Sequence, residues 1–130
     1  MKNLDHLRLE LRQFAVDRDW DQFHSPKNLA MALSVESAEL LEHFQWLTEK
    51  ESSELSGTKL ADVAKELADI QIYLTRLADK LDIDLMQAVT EKLAENGKKY
   101  PADLVRGQSK KYNEYPPHVI NQTAADSKKR

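Results

Sequence analysis

Cysteine is absent from this 130-residue chain, which removes both a disulfide framework and thiol chemistry. Glycine occurs three times and proline four times, and none of these falls inside the four long periodic stretches. That scarcity of breakers disfavours a turn-rich β-sheet protein and predicts an all-α domain. No run of about 18 apolar residues is present, and the chain opens on no signal-peptide pattern, so a soluble cytoplasmic protein is the expectation. A basic excess is missing as well: 19 Lys and Arg face 22 Asp and Glu, for a formal charge of −3. A polymeric nucleic-acid binder would show a basic surface, so that class is disfavoured. The length allows one domain with a modest core.

What the chain does have is helical periodicity. A first helix is predicted over about Asn3 to Asp19, with Leu4, Leu7, Leu11 and Phe14 on one face. The loop Trp20 to His24 leads to Ser25-Pro26, an N-cap followed by proline at the first helical position. The second helix is expected to run to about Leu47, with Thr48 to Thr58 as a polar connection. The third spans about Lys59 to Leu81, and the fourth about Asp84 to Asn96, stopped by Gly97 with Pro101 beyond. The expected organisation is a four-helix domain over residues 1–106 and a partly disordered C-terminal extension over 107–130. Asn121 to Arg130 reads as a flexible polar tail, whereas Tyr112 and Tyr115 to Pro117 are candidates to dock on the body or on a neighbouring subunit.

Two acidic pairs break the helical pattern. Glu36 and Glu39 on the second helix, and Glu66 and Asp69 on the third, share the same i,i+3 spacing. On a helical wheel each first acid lies beside the apolar stripe and each second acid falls roughly 60° away. A single pair of this kind usually sits in solvent near a Lys or Arg, as befits a chain that is 32% charged. The repeated placement argues for two helices packing face to face. Converging carboxylates must then protonate or take up cations. With no Cys in the chain and no convincing His partner, an oxygen-only donor set favours Mg²⁺, or Mn²⁺ as a substitute, over Zn²⁺. A di-iron carboxylate site would want Glu-x-x-His on two helices, but Glu42 follows Glu39 and Asp69 follows Glu66 at that spacing, and His43 is a weak substitute. Setting the four acids aside turns the formal charge to +1, so the acidity is concentrated in this constellation.

The fourth helix carries an oddity of opposite sign, with Lys92 and Asn96 beside the apolar line of Leu85 and Val89. Such a lysine often snorkels to water. Facing carboxylates and a polyphosphate, it is equally suited to clamp phosphate, while the Asn96 amide can bond phosphate or sugar oxygens. Trp20, Phe23, His24, Trp46 and Tyr73 flank the acidic helices. These are ordinary packing residues in a generic helical protein, yet a flat slot between aromatic faces also holds a nucleobase.

Taken in order, Arg18-Asp-Trp-Asp-Gln-Phe-His-Ser-Pro-Lys-Asn28, Glu36-x-x-Glu39, Phe44-Gln-Trp46, Glu66-Leu-Ala-Asp69 with Tyr73, and Lys98-Lys-Tyr-Pro101 resemble the MazG-like nucleotide pyrophosphohydrolases, and within them the dCTP pyrophosphatase branch. The similarity runs from about Phe14 to Tyr112. It implies an all-α four-helix assembly, a homo-oligomer built as a dimer or dimer of dimers, and Mg²⁺-dependent hydrolysis of a nucleoside triphosphate to monophosphate and pyrophosphate in nucleotide-pool cleaning. By the same resemblance Glu36, Glu39, Glu66 and Asp69 match the metal-binding acids, and Trp20, His24, Trp46 and Tyr73 match the nucleoside pocket. Lys92 and Asn96 match contacts to phosphate or sugar. Val35 stands where the wider family often has a second glutamate, and Leu11 where vertebrate relatives of the branch carry a histidine. In this reading Glu36 and Glu39 are the catalytic carboxylates, with Glu39 sharing the role of general base. Two other classes compete: a metal-dependent nucleotide-binding or sensor module with negligible turnover, and a helical interaction protein whose acids are surface charge.

Overall fold

The computed structural model describes Met1 and residues 3–115, and among these it contains helices and no strand. The element order is α1 (Leu4–Asp17), a 3-10 turn (Asp21–Phe23), α2 (Pro26–Glu42), α3 (Glu49–Ser52), α4 (Gly57–Lys80), α5 (Leu85–Lys99), α6 (Ala102–Val105) and a second 3-10 turn (Tyr112–Glu114). The expected tail over 121–130 and the Pro117 end of the expected docking segment lie outside the described residues. The chain divides into two compact units, one ending at Asp84 and the other beginning at Leu85. Among the described residues no helix is long and apolar enough to cross a membrane.

Side chains that satisfy free backbone donors set the helix starts. Asn3 Oδ1 accepts from the His6 N–H at 2.8 Å, and Ser25 Oγ accepts from the Asn28 N–H at 3.1 Å, with Pro26 at the first position as its sequence predicts. Thr48 and Glu51 form a reciprocal capping box, 3.1 and 3.0 Å. That box nucleates α3 inside the stretch expected to be a plain polar connection. Helix α2 stops at Glu42, earlier than the expected Leu47, because the chain turns through His43 to Leu47. Helix α4 starts two residues early, at Gly57, whose φ of +59° belongs to the left-handed region that glycine enters freely. Helix α5 runs through Gly97 to Lys99, so that glycine ends nothing, and Pro101 marks the break instead.

In the first unit the chain packs α2 against α4 and α1 against α4. The direction of the α2/α4 pair follows from side-chain contacts. His24, just before α2, meets Arg76 near the end of α4, while His43, just after α2, lies 3.9 Å from Glu66 in the first half of α4. The two helices are therefore antiparallel. Leu29 on α2, Val63 and Ala78 on α4, and Ala15 on α1 are the buried apolar side chains of this unit. They are joined by two buried polar residues, Thr75 and Arg76. The second unit buries Tyr115, whose ring packs edgewise on Tyr100 at 5.9 Å, with Tyr112 against the same ring at 6.2 Å.

Leu29 is 2% exposed, so Leu29→Ala removes a fully packed side chain and is expected to lower the unfolding free energy by about 3 kcal/mol in denaturant titration. Gly57→Ala meets no neighbouring atom but forces Cβ into the left-handed region, and a loss of about 1 kcal/mol is expected in the same measurement.

Candidate functional site

Antiparallel packing of α2 on α4 sets the i,i+3 acids of one helix across from those of the other. Carboxylate oxygens of Glu36, Glu39 and Glu66 lie within 4.8 Å of one another. Asp69 stands outside that trio but is close enough for its charge to raise the Glu36 pKa. Two oxygens, Glu36 Oε2 and Glu66 Oε2, are buried and receive no hydrogen bond from any group outside the acidic cluster. His43 Nε2, 3.9 Å from Glu66, is beyond hydrogen-bond range.

Three acids in this space repel one another, and burial adds to the cost of the charged form. The Glu36 carboxyl is pushed up to about 7, first by burial, then by hydrogen bonding of its protonated form to Glu66 and Glu39, and then by the charges of Glu39 and Asp69. The protein thus holds a proton where a cation would do the same work. Hard oxygen donors, two of them without a hydrogen bond from outside the cluster, fit a divalent cation such as Mg²⁺, with water completing its shell.

The other residues singled out from the sequence are distributed as follows. Trp20 packs edge to face on Phe14, 5.8 Å between ring centroids, and keeps about half its surface open. Tyr73, on α4 one turn beyond Asp69, is half-buried. Trp46 follows the turn after α2 and is 86% exposed, so within one chain it is an aromatic face with almost nothing against it. Lys92 and Asn96 belong to α5 of the second unit. Lys92 pairs with Glu95 at 3.2 Å, and the Asn96 carbonyl accepts from the Tyr100 N–H at 2.8 Å.

A feature that the sequence reading missed is an ionic network on the last turns of α4. Arg76 pairs with Asp21 and Asp79 and donates from Nε to His24 Nδ1 at 3.2 Å. Asp79 takes two hydrogen bonds from Arg12, 2.7 and 2.6 Å, and Lys80 meets Asp21 at 2.6 Å. The Arg12 bonds hold the Asp79 carboxyl below its ordinary range despite burial, and Lys80 does the same for Asp21. A signal was present: Arg76 comes seven residues after Asp69 and three after Tyr73, on the same face of the helix.

Comparison with known proteins identifies the family. Residues 31–115 match the model of the MazG-like family. The chain is 42% identical to human dCTP pyrophosphatase 1 over 124 residues, 94% of this chain and 73% of the relative, and 40% identical to the mouse protein of the same name over the same shares. Among solved structures it resembles a pyrophosphatase from Archaeoglobus fulgidus, with a TM-score of 0.71 and 42% identity over 75% of this chain and 91% of the other. With the family model covering more than half its length and curated relatives matched along nearly all of it, the chain belongs to the MazG-like family.

Proposed function

We propose that this protein is a Mg²⁺-dependent nucleoside triphosphate pyrophosphohydrolase that converts dCTP, or a modified dCTP, to the monophosphate and pyrophosphate. The observation that carries the reading is the cluster of Glu36, Glu39 and Glu66 on two facing helices, with two buried oxygens lacking partners outside the cluster. The names of the relatives, dCTP pyrophosphatase 1 and a pyrophosphatase, support the substrate class and the bond broken.

In this reading Glu36, Glu39, Glu66 and Asp69 hold the cation. When bound, the ion offsets triphosphate charge and acidifies water, with Mn²⁺ an acceptable substitute for Mg²⁺. Glu39 takes the proton from the attacking water, and Glu36 orients that water beside it. Trp20, His24, Trp46 and Tyr73 form the nucleoside pocket, while Lys92 and Asn96 contact phosphate or sugar. The protein's own share is to hold reacting groups in line and in a fixed field.

A homo-oligomer, a dimer or a dimer of dimers, completes the pocket. Met31 and Val35 form an exposed apolar line on α2, Leu60 and Leu67 form another on α4, and Trp46 is uncovered. Apolar faces of this extent are characteristic of surfaces that meet another subunit. The cytoplasm is the compartment that suits a nucleotide-pool enzyme.

Incubating the protein with each deoxynucleoside triphosphate, with Mg²⁺ or with chelator, and resolving products by ion exchange tests the function. The expected result is monophosphate plus pyrophosphate, fastest with dCTP and abolished by chelator; tight binding without product would replace the enzyme by a sensor module. Glu39→Gln is expected to lower kcat by about 100-fold or more. In sedimentation, active protein is expected to run as a dimer or larger, and an active monomer would overturn the assembly.

The pH dependence has a definite sign. The folded protein raises the Glu36 pKa from 4.5 to about 7, so between those values it binds more protons than the unfolded chain. Stability from this group is complete below about pH 4.5 and is lost as pH rises through about 7. In metal-free buffer Tm is therefore expected to fall from pH 5 to pH 8, and Glu36→Gln is expected to flatten that fall. Added Mg²⁺ raises Tm most at the alkaline end for the wild type and little for the variant.

A further inference from the structure

Arg76 is 5% exposed, which is rare for an arginine unless it is fully engaged. Of its partners, Asp79 lies on the same helix, whereas Asp21 and His24 belong to the segment joining α1 to α2. That segment carries Phe23 together with Trp20 and His24, two of the residues expected in the nucleoside pocket, and few other polar bonds hold it. Asn28 Nδ2 donates to the Phe23 carbonyl at 3.0 Å, and Gln22 bonds back to Asp19, whose φ of +52° marks the tight entry to the turn. Asp21 is pinned to α4 by Arg76 and Lys80 together.

The contact with His24 is chemically restrictive. A guanidinium has five N–H donors and no acceptor. The Arg76 Nε–H therefore requires a lone pair on His24 Nδ1, and a neutral imidazole with a lone pair there carries its proton on Nε2. A second proton on Nδ1 would set two N–H groups against each other and break the contact. The charged groups facing His24 are Arg76 and Lys80 from α4 and Asp21 from its own turn. Burial comes first among the influences holding His24 below its ordinary value, followed by the two cations, while Asp21 pulls the other way.

We propose that Arg76 is a positioning residue: it fixes His24 as the neutral Nε2–H tautomer and ties the Trp20 to His24 segment to α4, so that His24 meets the nucleotide only as a hydrogen-bond donor. The acceptor on the ligand is an oxygen or an imine-type nitrogen of the nucleotide. The identity of that ligand rests on the pyrophosphohydrolase reading; the tautomer does not.

Nitrogen NMR of isotope-labelled histidine reads the tautomer directly, with His24→Gln used to assign the signal. Arg76→Met is a suitable perturbation because it leaves no orphaned carboxylate: Asp79 keeps its two bonds from Arg12, and Asp21 keeps Lys80 at 2.6 Å. The wild type is expected to show a protonated Nε2 and a bare Nδ1. In Arg76→Met, with Tm confirming a folded protein, the tautomers mix and the His24 titration moves up towards the ordinary 6.5. With dCTP the variant's KM is expected to rise about tenfold, the scale of one lost hydrogen bond, while kcat changes less than about threefold. The acid limb of kcat/KM moves up with the titration. A proton on Nδ1 in the wild type, or an unchanged tautomer and titration in Arg76→Met, would overturn the proposal. If the wild type hydrolyses no triphosphate, the pyrophosphohydrolase reading falls, and the nitrogen spectra still decide the role of Arg76.

Discussion

Repulsion among carboxylates that the α2/α4 packing holds together is the constraint on which the rest of the molecule depends. Leu29 on α2 and Val63 on α4 are buried as the two helices pack, and the same packing brings Glu36, Glu39 and Glu66 within 4.8 Å. Hydrophobic burial thus opposes electrostatic cost, and the balance is struck by a proton on Glu36 or by a cation. A carboxylate cluster of this type is destabilising when its charges are left uncompensated.

Much of this was legible in the chain because it depends on spacing. An i,i+3 pair beside an apolar stripe has one geometric meaning on a helix, so Glu36 with Glu39 and Glu66 with Asp69 pointed to facing helices before any coordinates. Caps were equally local: Ser25-Pro26 read correctly as a helix start. Gly97 did not read correctly as a stop, because a glycine weakens a helix by only about 1 kcal/mol and the flanking residues carry α5 past it. Helix α3 went unseen because a four-residue helix has no period to detect, although its Thr48-x-x-Glu51 box was in plain view.

The Arg76 network was hidden for a different reason. Its partners, Asp21 and Arg12, lie 55 and 67 residues from Arg76 or Asp79 along the chain, and no local rule joins them. Within α4, Arg76, Asp79 and Lys80 look like the charged face of any exposed helix end. Only the burial of Arg76 distinguishes them, and burial is a property of the tertiary fold. The open aromatic face of Trp46 is similar in kind: its place between helices is evident in the sequence, while its 86% exposure needs the fold.

Helix α4 carries both stations of the first unit, the acids at Glu66 and Asp69 and the loop anchor at Arg76. Arg76 comes ten positions after Glu66 along unbroken helix, a rise of about 15 Å at 1.5 Å per residue. The helix is therefore a ruler with a phase as well as a length. One residue gained or lost between the stations would swing the loop anchor by about 100° around the axis while moving it by only about 1.5 Å along it. Orientation would be lost long before distance. The register between the acidic cluster and the Trp20 to His24 turn is set by the uninterrupted hydrogen bonding of one helix.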